Sequence, residues 1–263
     1  MVRFCSLFSG SSGNALFVCT DQTKLLIDAG MSAKRIINAL CSIGETPDEL
    51  SAILVTHEHS DHIKGAGIIS RKFNTPVFAN KNTWEAMEQH IGPVDVKNKV
   101  YFENGADFKI GDITIRAFCI PHDASDPVGF NFFVGDKKIT TATDIGHMNK
   151  ELLDNLEESD FLLIESNHDV EMLKVGPYPY HLKKRILGER GHLSNDMASK
   201  VVAYLAEKGT KKFMLGHLSK ENNFPELAYQ TVLNLLNEKN IAVGRDIHLD
   251  VVLRDTTSRV VEI

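Results

Sequence analysis

Long apolar runs, paired cysteines and an excess of basic charge are all missing from this 263-residue sequence. No hydrophobic stretch reaches the length that a membrane-spanning helix needs, and no charged-then-apolar leader opens the chain, so neither insertion nor secretion is expected. The four cysteines, Cys5, Cys19, Cys41 and Cys119, are far apart and form no CxxC pair. They read as small apolar fillers in a reducing, cytoplasmic setting rather than a disulfide framework or a thiolate metal site. Lys and Arg number 29 against 35 Asp and Glu, and the net charge of −6 argues against binding nucleic acid through bulk charge. It leaves room for a nucleic-acid enzyme in which bound divalent ions carry positive charge to the phosphate. Repeats, low-complexity tracts and long linkers are absent too, and the length suits a single domain over residues 1–263.

What the chain does contain is concentrated in one stretch, "LVTHEHSDH" (Leu54–His62), where three histidines and an aspartate follow an apolar run. Around it the pattern predicts strands at 2–8, 15–19, Lys24–Ile27, Ala52–Val55 and Pro76–Ala79, with helices at Ser32–Ile43, Lys64–Phe73 and Thr83–Ile91. From 99 to 143 Gly and Asp punctuate a series of β-hairpins. Thereafter helices near 149–157, 179–187, 195–208 and 225–238 alternate with strands at 161–165 and 212–216, and strands at 247–253 and 258–262 close the chain. Strand runs with exposed helices predict two packed sheets with helices outside, an α/β sandwich.

His57 and His59 lie two apart where a strand ends, so extended backbone points both to one side, toward one ion. Asp61 and His62 follow as the chain turns into a helix and can face a second ion nearby. Imidazole and carboxylate without thiolate suit zinc first, then manganese or iron. One loop cannot complete two coordination shells. His122, Asp144 and His217 each follow an apolar strand and are the candidates to complete them.

These residues carry a resemblance to the metallo-β-lactamase-fold hydrolases, in particular to the YycJ/WalJ group of small phosphodiesterase-like members. The landmarks, in order, are Asp28 in "KLLIDAG", the HxHxDH of His57, His59, Asp61 and His62, then His122, Asp144 and His217. The resemblance spans nearly the whole chain and implies a four-layer αββα sandwich. It implies that His57, His59 and His122 hold one divalent metal ion, that Asp61, His62 and His217 hold a second, that Asp144 bridges them, and that Asp28 orients ligands from behind. His59 stands where a flavodiiron-type site wants Glu, no cysteine falls on a landmark, and Asp144 and His217 are too close in sequence for an inserted domain. No Gly/Pro-rich arm of the tRNA-maturing kind is present.

In "ERGHLSND" His192 precedes a helix capped by Ser194 or Asn195. It reads either as a loop histidine beside a cap or, by resemblance to phosphodiesterase members, as a group that approaches the scissile phosphate. Asp61 and His192 are thus the catalytic candidates. The "SGSSGN" loop offers Ser9, Ser11, Ser12 and Asn14 as a phosphate cradle, or is a plain hairpin connection. Asn167 and His168 in "ESNHD" either line the site or form a polar turn. Lys183, Lys184, Arg185 and Arg190 are a solvated helix face or a strip for a polyanion. His90, His147, His181 and His248 read as surface or structural. The function expected is a dinuclear phosphodiesterase, and the resemblance implies 5′-to-3′ exonuclease action on DNA, with two zinc or manganese ions, iron being a third option. The alternatives are a small-molecule hydrolase of cyclic phosphodiesters or thioesters, and a non-catalytic metal-stabilised regulatory module.

Overall fold

A computed structural model describes all residues, 1–263. The first half contributes β1 (Arg3–Phe8), β2 (Ala15–Cys19), β3 (Lys24–Ile27), α1 (Ala33–Ser42), β4 (Ala52–Leu54), α2 (Ser60–Ile63), α3 (Ala66–Phe73), β5 (Val77–Ala79), α4 (Lys81–Ile91) and β6 (Lys99–Tyr101). The second contributes β7 (Asp107–Ile110), β8 (Ile113–Cys119), β9 (Val128–Val134), β10 (Lys137–Ala142), α5 (Lys150–Leu156), β11 (Phe161–Glu165), α6 (Val170–Val175), α7 (Tyr180–Ile186), α8 (Asn195–Glu207), β12 (Lys212–Gly216), α9 (Pro225–Glu238), β13 (His248–Val251) and β14 (Val261–Glu262). Two seven-stranded sheets result, ordered β14-β1-β2-β3-β4-β5-β6 and β13-β12-β11-β10-β9-β8-β7.

The period-2 alternation of the strands sets the layers. In β3, Leu25 and Ile27 face the opposite sheet while Leu26 turns to the helices; in β11, Phe161 and Leu163 face inward while Leu162 and Ile164 turn out. A central core between the sheets joins Phe4, Leu25 and Ile27 to Phe130, Phe132 and Phe161. An outer core packs Ile36, Leu40, Ile69, Trp84 and Met87 on the first sheet, and another packs Val202, Leu205, Val232 and Leu236 on the second. Three cores between four layers give the αββα order.

Strand direction decides where function can gather. In the first sheet β3, β4 and β5 run parallel. In the second, β10, β11 and β12 run parallel, and β8, antiparallel to β9 as is β10, shares their direction. Asp28, the histidine-rich stretch, His122, Asp144, Glu165 and His217 all follow or end these strands, so the topology delivers them to one end of the sandwich.

Two expectations are corrected, and two short helices are added. The strand near 99 pairs parallel with β5 and is not part of the hairpins. The expected 64–73 helix is α3, starting at Ala66, and the short α2 precedes it; at Gly65, between them, a Cβ would stand 2.6 Å from the Met31 carbonyl oxygen, and the close backbone parts the two. The last strands shorten to His248–Val251 and Val261–Glu262 and go to opposite sheets, since Ser258 meets β1 through its hydroxyl, accepting from Ser6 N–H at 3.0 Å. Finally α6, capped by the Asp169 side chain accepting from Met172 N–H at 2.8 Å, follows the "ESNHD" segment where no element was expected.

Candidate metal centre

The stretch His57–His62 leaves β4 in extended backbone and enters α2 at Ser60. His59 Nδ1 lies 3.1 Å from His57 Nε2, two ring nitrogens brought face to face as two ligands of one cation would be. His122 Nδ1–H donates to the Gly191 carbonyl at 3.0 Å, which leaves Nε2 free toward the same point. The ligand atoms of His57, His59 and His122 lie within 4.8 Å of one another, as do those of Asp61, His62 and His217. Asp144 stands between the sets: one carboxylate oxygen is 3.7 Å from His122 Nε2 and the other 3.4 Å from His62 Nε2. Every expected metal-ligating residue is thus brought to one place.

Second partners fix the rings. Asp28 accepts from Thr56 N–H at 2.8 Å, from the Thr56 hydroxyl at 2.9 Å and from His62 Nδ1–H at 2.7 Å, so His62 presents Nε2 to the centre. Asp28 (φ 59°), Asp144 (φ 61°) and His217 (φ 56°) all adopt left-handed backbone where strands run out. Each costs of order 1–3 kcal/mol, the kind of strain that clusters at functional sites.

Burial opposes charge on His62, yet the carboxylates of Asp28, Asp144 and Asp61 outweigh it and raise its pKa to about 10. His217 is raised to about 9 against its own burial by Asp144 and Glu165. His57, surrounded by other imidazoles and deeply buried, is pushed well below its usual value, first by burial and then by His62. The carboxylates therefore call for positive charge at their centre. Asp144 Oδ2 and His217 Nε2 are buried with no hydrogen-bond partner, an expense that a bound cation removes. The residues fit divalent metal ions.

Glu165 was not singled out from the sequence. It ends β11 fully buried, and its Oε1 accepts from Nδ1–H of both His192 and His217 at 2.8 Å. Its Oε2 accepts from Ile145 N–H at 2.6 Å and Leu193 N–H at 3.1 Å. His192 packs between the two sets, its ring centroid 5.1 Å from His122 and 5.3 Å from His217. The only clue in the sequence was a glutamate at the end of an otherwise apolar strand.

A cleft of about 250 Å³ opens over the centre, lined among others by Ser11, Asp61, Asn167, Tyr178, Arg185 and His192. Ser11 and Asn167 are the two expected substrate contacts that reach it. Ser9 is buried, its hydroxyl accepting from His217 N–H at 2.8 Å. Ser12 is exposed away from the cleft lining, and Asn14 is buried with Nδ2 3.0 Å from His62 Nε2. His168 is buried off the cleft. Arg185, paired with Asp123, is the one member of the basic strip on the cleft wall; Lys183 instead donates to the Lys174 carbonyl at 2.7 Å.

Residues 23–218, from just before β3, which leads into Asp28, to the residue after His217, match the β-lactamase superfamily domain. The chain belongs to the β-lactamase superfamily. It is 43% identical over 263 residues, covering 99% of this chain and 98% of its relative, to the exodeoxyribonuclease WalJ of Streptococcus pneumoniae. To the exodeoxyribonuclease YycJ of Bacillus anthracis it is 42% identical over 243 residues, 92% of each chain. The metallo-β-lactamase fold protein YhfI of Bacillus subtilis superposes with a TM-score of 0.74 over 98% of this chain and 100% of that one, at 13% identity. The sandwich is thus the metallo-β-lactamase fold, and its His/Asp clusters belong to a divalent-metal site in this superfamily.

Proposed function

We propose that the chain is a dinuclear metal-dependent phosphodiesterase that degrades DNA from the 5′ end. The observation that carries this reading is the convergence of two His/Asp sets on Asp144, in a chain alike from end to end to exodeoxyribonucleases. In this reading His57, His59 and His122 would hold one ion, Asp61, His62 and His217 the other, and Asp144 would serve both. Zinc or manganese, and iron as a third choice, suit donors that include no sulfur. Residues 1–263 act as one domain, in keeping with β14 closing beside β1, and the setting is cytoplasmic, in keeping with four free cysteines.

Two bound divalent ions supply a water of lowered pKa and neutralise charge developing on a phosphodiester. The chain's residues do the rest. Asp61, a quarter exposed, faces the cleft and takes the proton released by the attacking water. His192 gives Nδ1–H to Glu165, which leaves Nε2 to hold or protonate the departing 3′ oxygen. Arg185 on the wall meets a phosphate beyond the scissile one.

Duplex DNA labelled at either its 5′ or its 3′ end, incubated with the protein and manganese or zinc, tests the reading. The 5′ label should leave first as a mononucleotide, while the 3′ label persists on progressively shorter strands. Early loss of the 3′ label reverses the polarity. Intact DNA beside a hydrolysed cyclic dinucleotide or thioester makes the chain a small-molecule hydrolase.

A further inference from the structure

Behind His192, on the side away from the Asp144 centre, lies a second cavity of about 220 Å³. His192 lines both spaces and is the partition between them. Half of its lining is apolar, with Met148, Leu187 and Met197 among the walls, and His147, His168 and Ser194 add polar groups. Leu187 and Met197 are large apolar side chains left substantially exposed, 47% and 38%, at its mouth. His168 is the anomaly. Its residue is 1% exposed, its backbone carbonyl accepts from Asn195 N–H at 2.9 Å, yet neither ring nitrogen has any partner. Buried polar groups without partners are rare and destabilising, so an imidazole retained here asks for a ligand that can meet it.

We propose that this cavity receives the nucleobase of the nucleotide being released. The inference rests on the exonuclease reading above and follows from its chemistry. When water's oxygen bonds to phosphorus and the P–O3′ bond breaks, Asp61 takes one proton from that water and His192 Nε2 gives one to O3′. The atom beside His192 is then the 3′ oxygen of the leaving, 5′-terminal nucleotide, and its base lies on the far side of His192 from the centre. The cavity has room for several waters at about 30 Å³ each, or for one planar heteroaromatic ring. Thioethers make favourable contacts with aromatic rings, and unbranched methionines shift at little cost, which lets a base reach the floor where His168 is covered. Apolar faces with a few polar groups match what an unstacked base requires.

Binding to the metal-loaded protein separates this proposal from the reading it rests on. Deoxyadenosine 5′-monophosphate should bind about tenfold to a hundredfold more tightly than 2-deoxyribose 5-phosphate, the range that single base contacts of this kind supply. Met197→Trp, which fills the cavity from its rim, should abolish that difference. His168→Phe keeps the ring and removes the unpartnered nitrogens, so it should raise Tm while weakening nucleotide binding, whereas a purely structural imidazole would lower Tm and leave binding alone. Equal affinity of the wild type for nucleotide and sugar phosphate overturns the proposal, as does a Met197→Trp protein that folds and keeps the preference. A preserved preference in a protein that cleaves no DNA upholds the pocket and refutes the nuclease reading instead.

Discussion

Glu165 is one carboxylate with four donors, and it ties the catalytic candidate His192 to the ligand candidate His217. Burial alone would raise its pKa; the imidazoles of His192 and His217 pull it down to about 2, so it is ionised in the working range. Two variants divide the labour of this group. His192→Ala should keep its metal content and lose turnover by about a hundredfold to ten-thousandfold, the usual share of a positioned acid–base group. Glu165→Gln should lose both. If its amide oxygen faces the histidines, its NH2 confronts the N–H groups of Ile145 and Leu193, donor against donor, and metal affinity should fall about 10- to 100-fold. Metal analysis of the purified variants beside their kcat checks the split, and wild-type metal content and turnover in Glu165→Gln would reduce that residue to packing.

At the scale of elements the site is a set of loops pressed together at strand ends. Gly30 shows how tightly: a Cβ there would stand 1.6 Å from the Asp61 carbonyl oxygen, which itself accepts from Asn14 N–H at 2.8 Å. Gly30→Ala must push the Asp28 loop away from α2. Overpacking of this kind costs about 1–3 kcal/mol, so Tm should fall by several degrees, and the affinity for the second metal equivalent should fall with it. An unchanged melting curve would contradict the tight junction. Elements with plain periodicity were legible in advance, β2, β3, β11, β12 and α9 among them, because apolar alternation or a 3.6-residue stripe is a local property. The ligand candidates were legible because histidine and aspartate after an apolar strand have few other reasons to be there. Glu165 was not, since its partners lie 27 and 52 residues away and only the fold joins them. Likewise Ser9 looks like a substrate contact in a Ser/Gly loop until β12 arrives beside it and takes its hydroxyl. The parting of β13 and β14 to different sheets depends on long-range pairing that no local pattern encodes.

Over the whole molecule, an acidic surface must bind a polyanion through few contacts. Arg185, shared with Asp123, is the cation placed on the cleft wall, whereas Lys184 is exposed beyond the cleft lining. Arg185→Ala should weaken DNA binding and flatten the slope of log affinity against log salt by roughly 0.7–0.9, the loss of one phosphate contact. Lys184→Ala should leave the slope unchanged, and the reverse pattern would move the DNA track onto the outer face of α7. The central claim is that catalysis needs two ions gathered about Asp144. Its most direct test is the single-turnover rate of 5′-end cleavage as metal-free protein is titrated with manganese, bound metal being measured in the same samples. Little cleavage is expected through the first equivalent, a steep rise with the second and a plateau at two, with Asp144→Ala flat throughout. Full activity at one equivalent, or a rate indifferent to chelator, would contradict it.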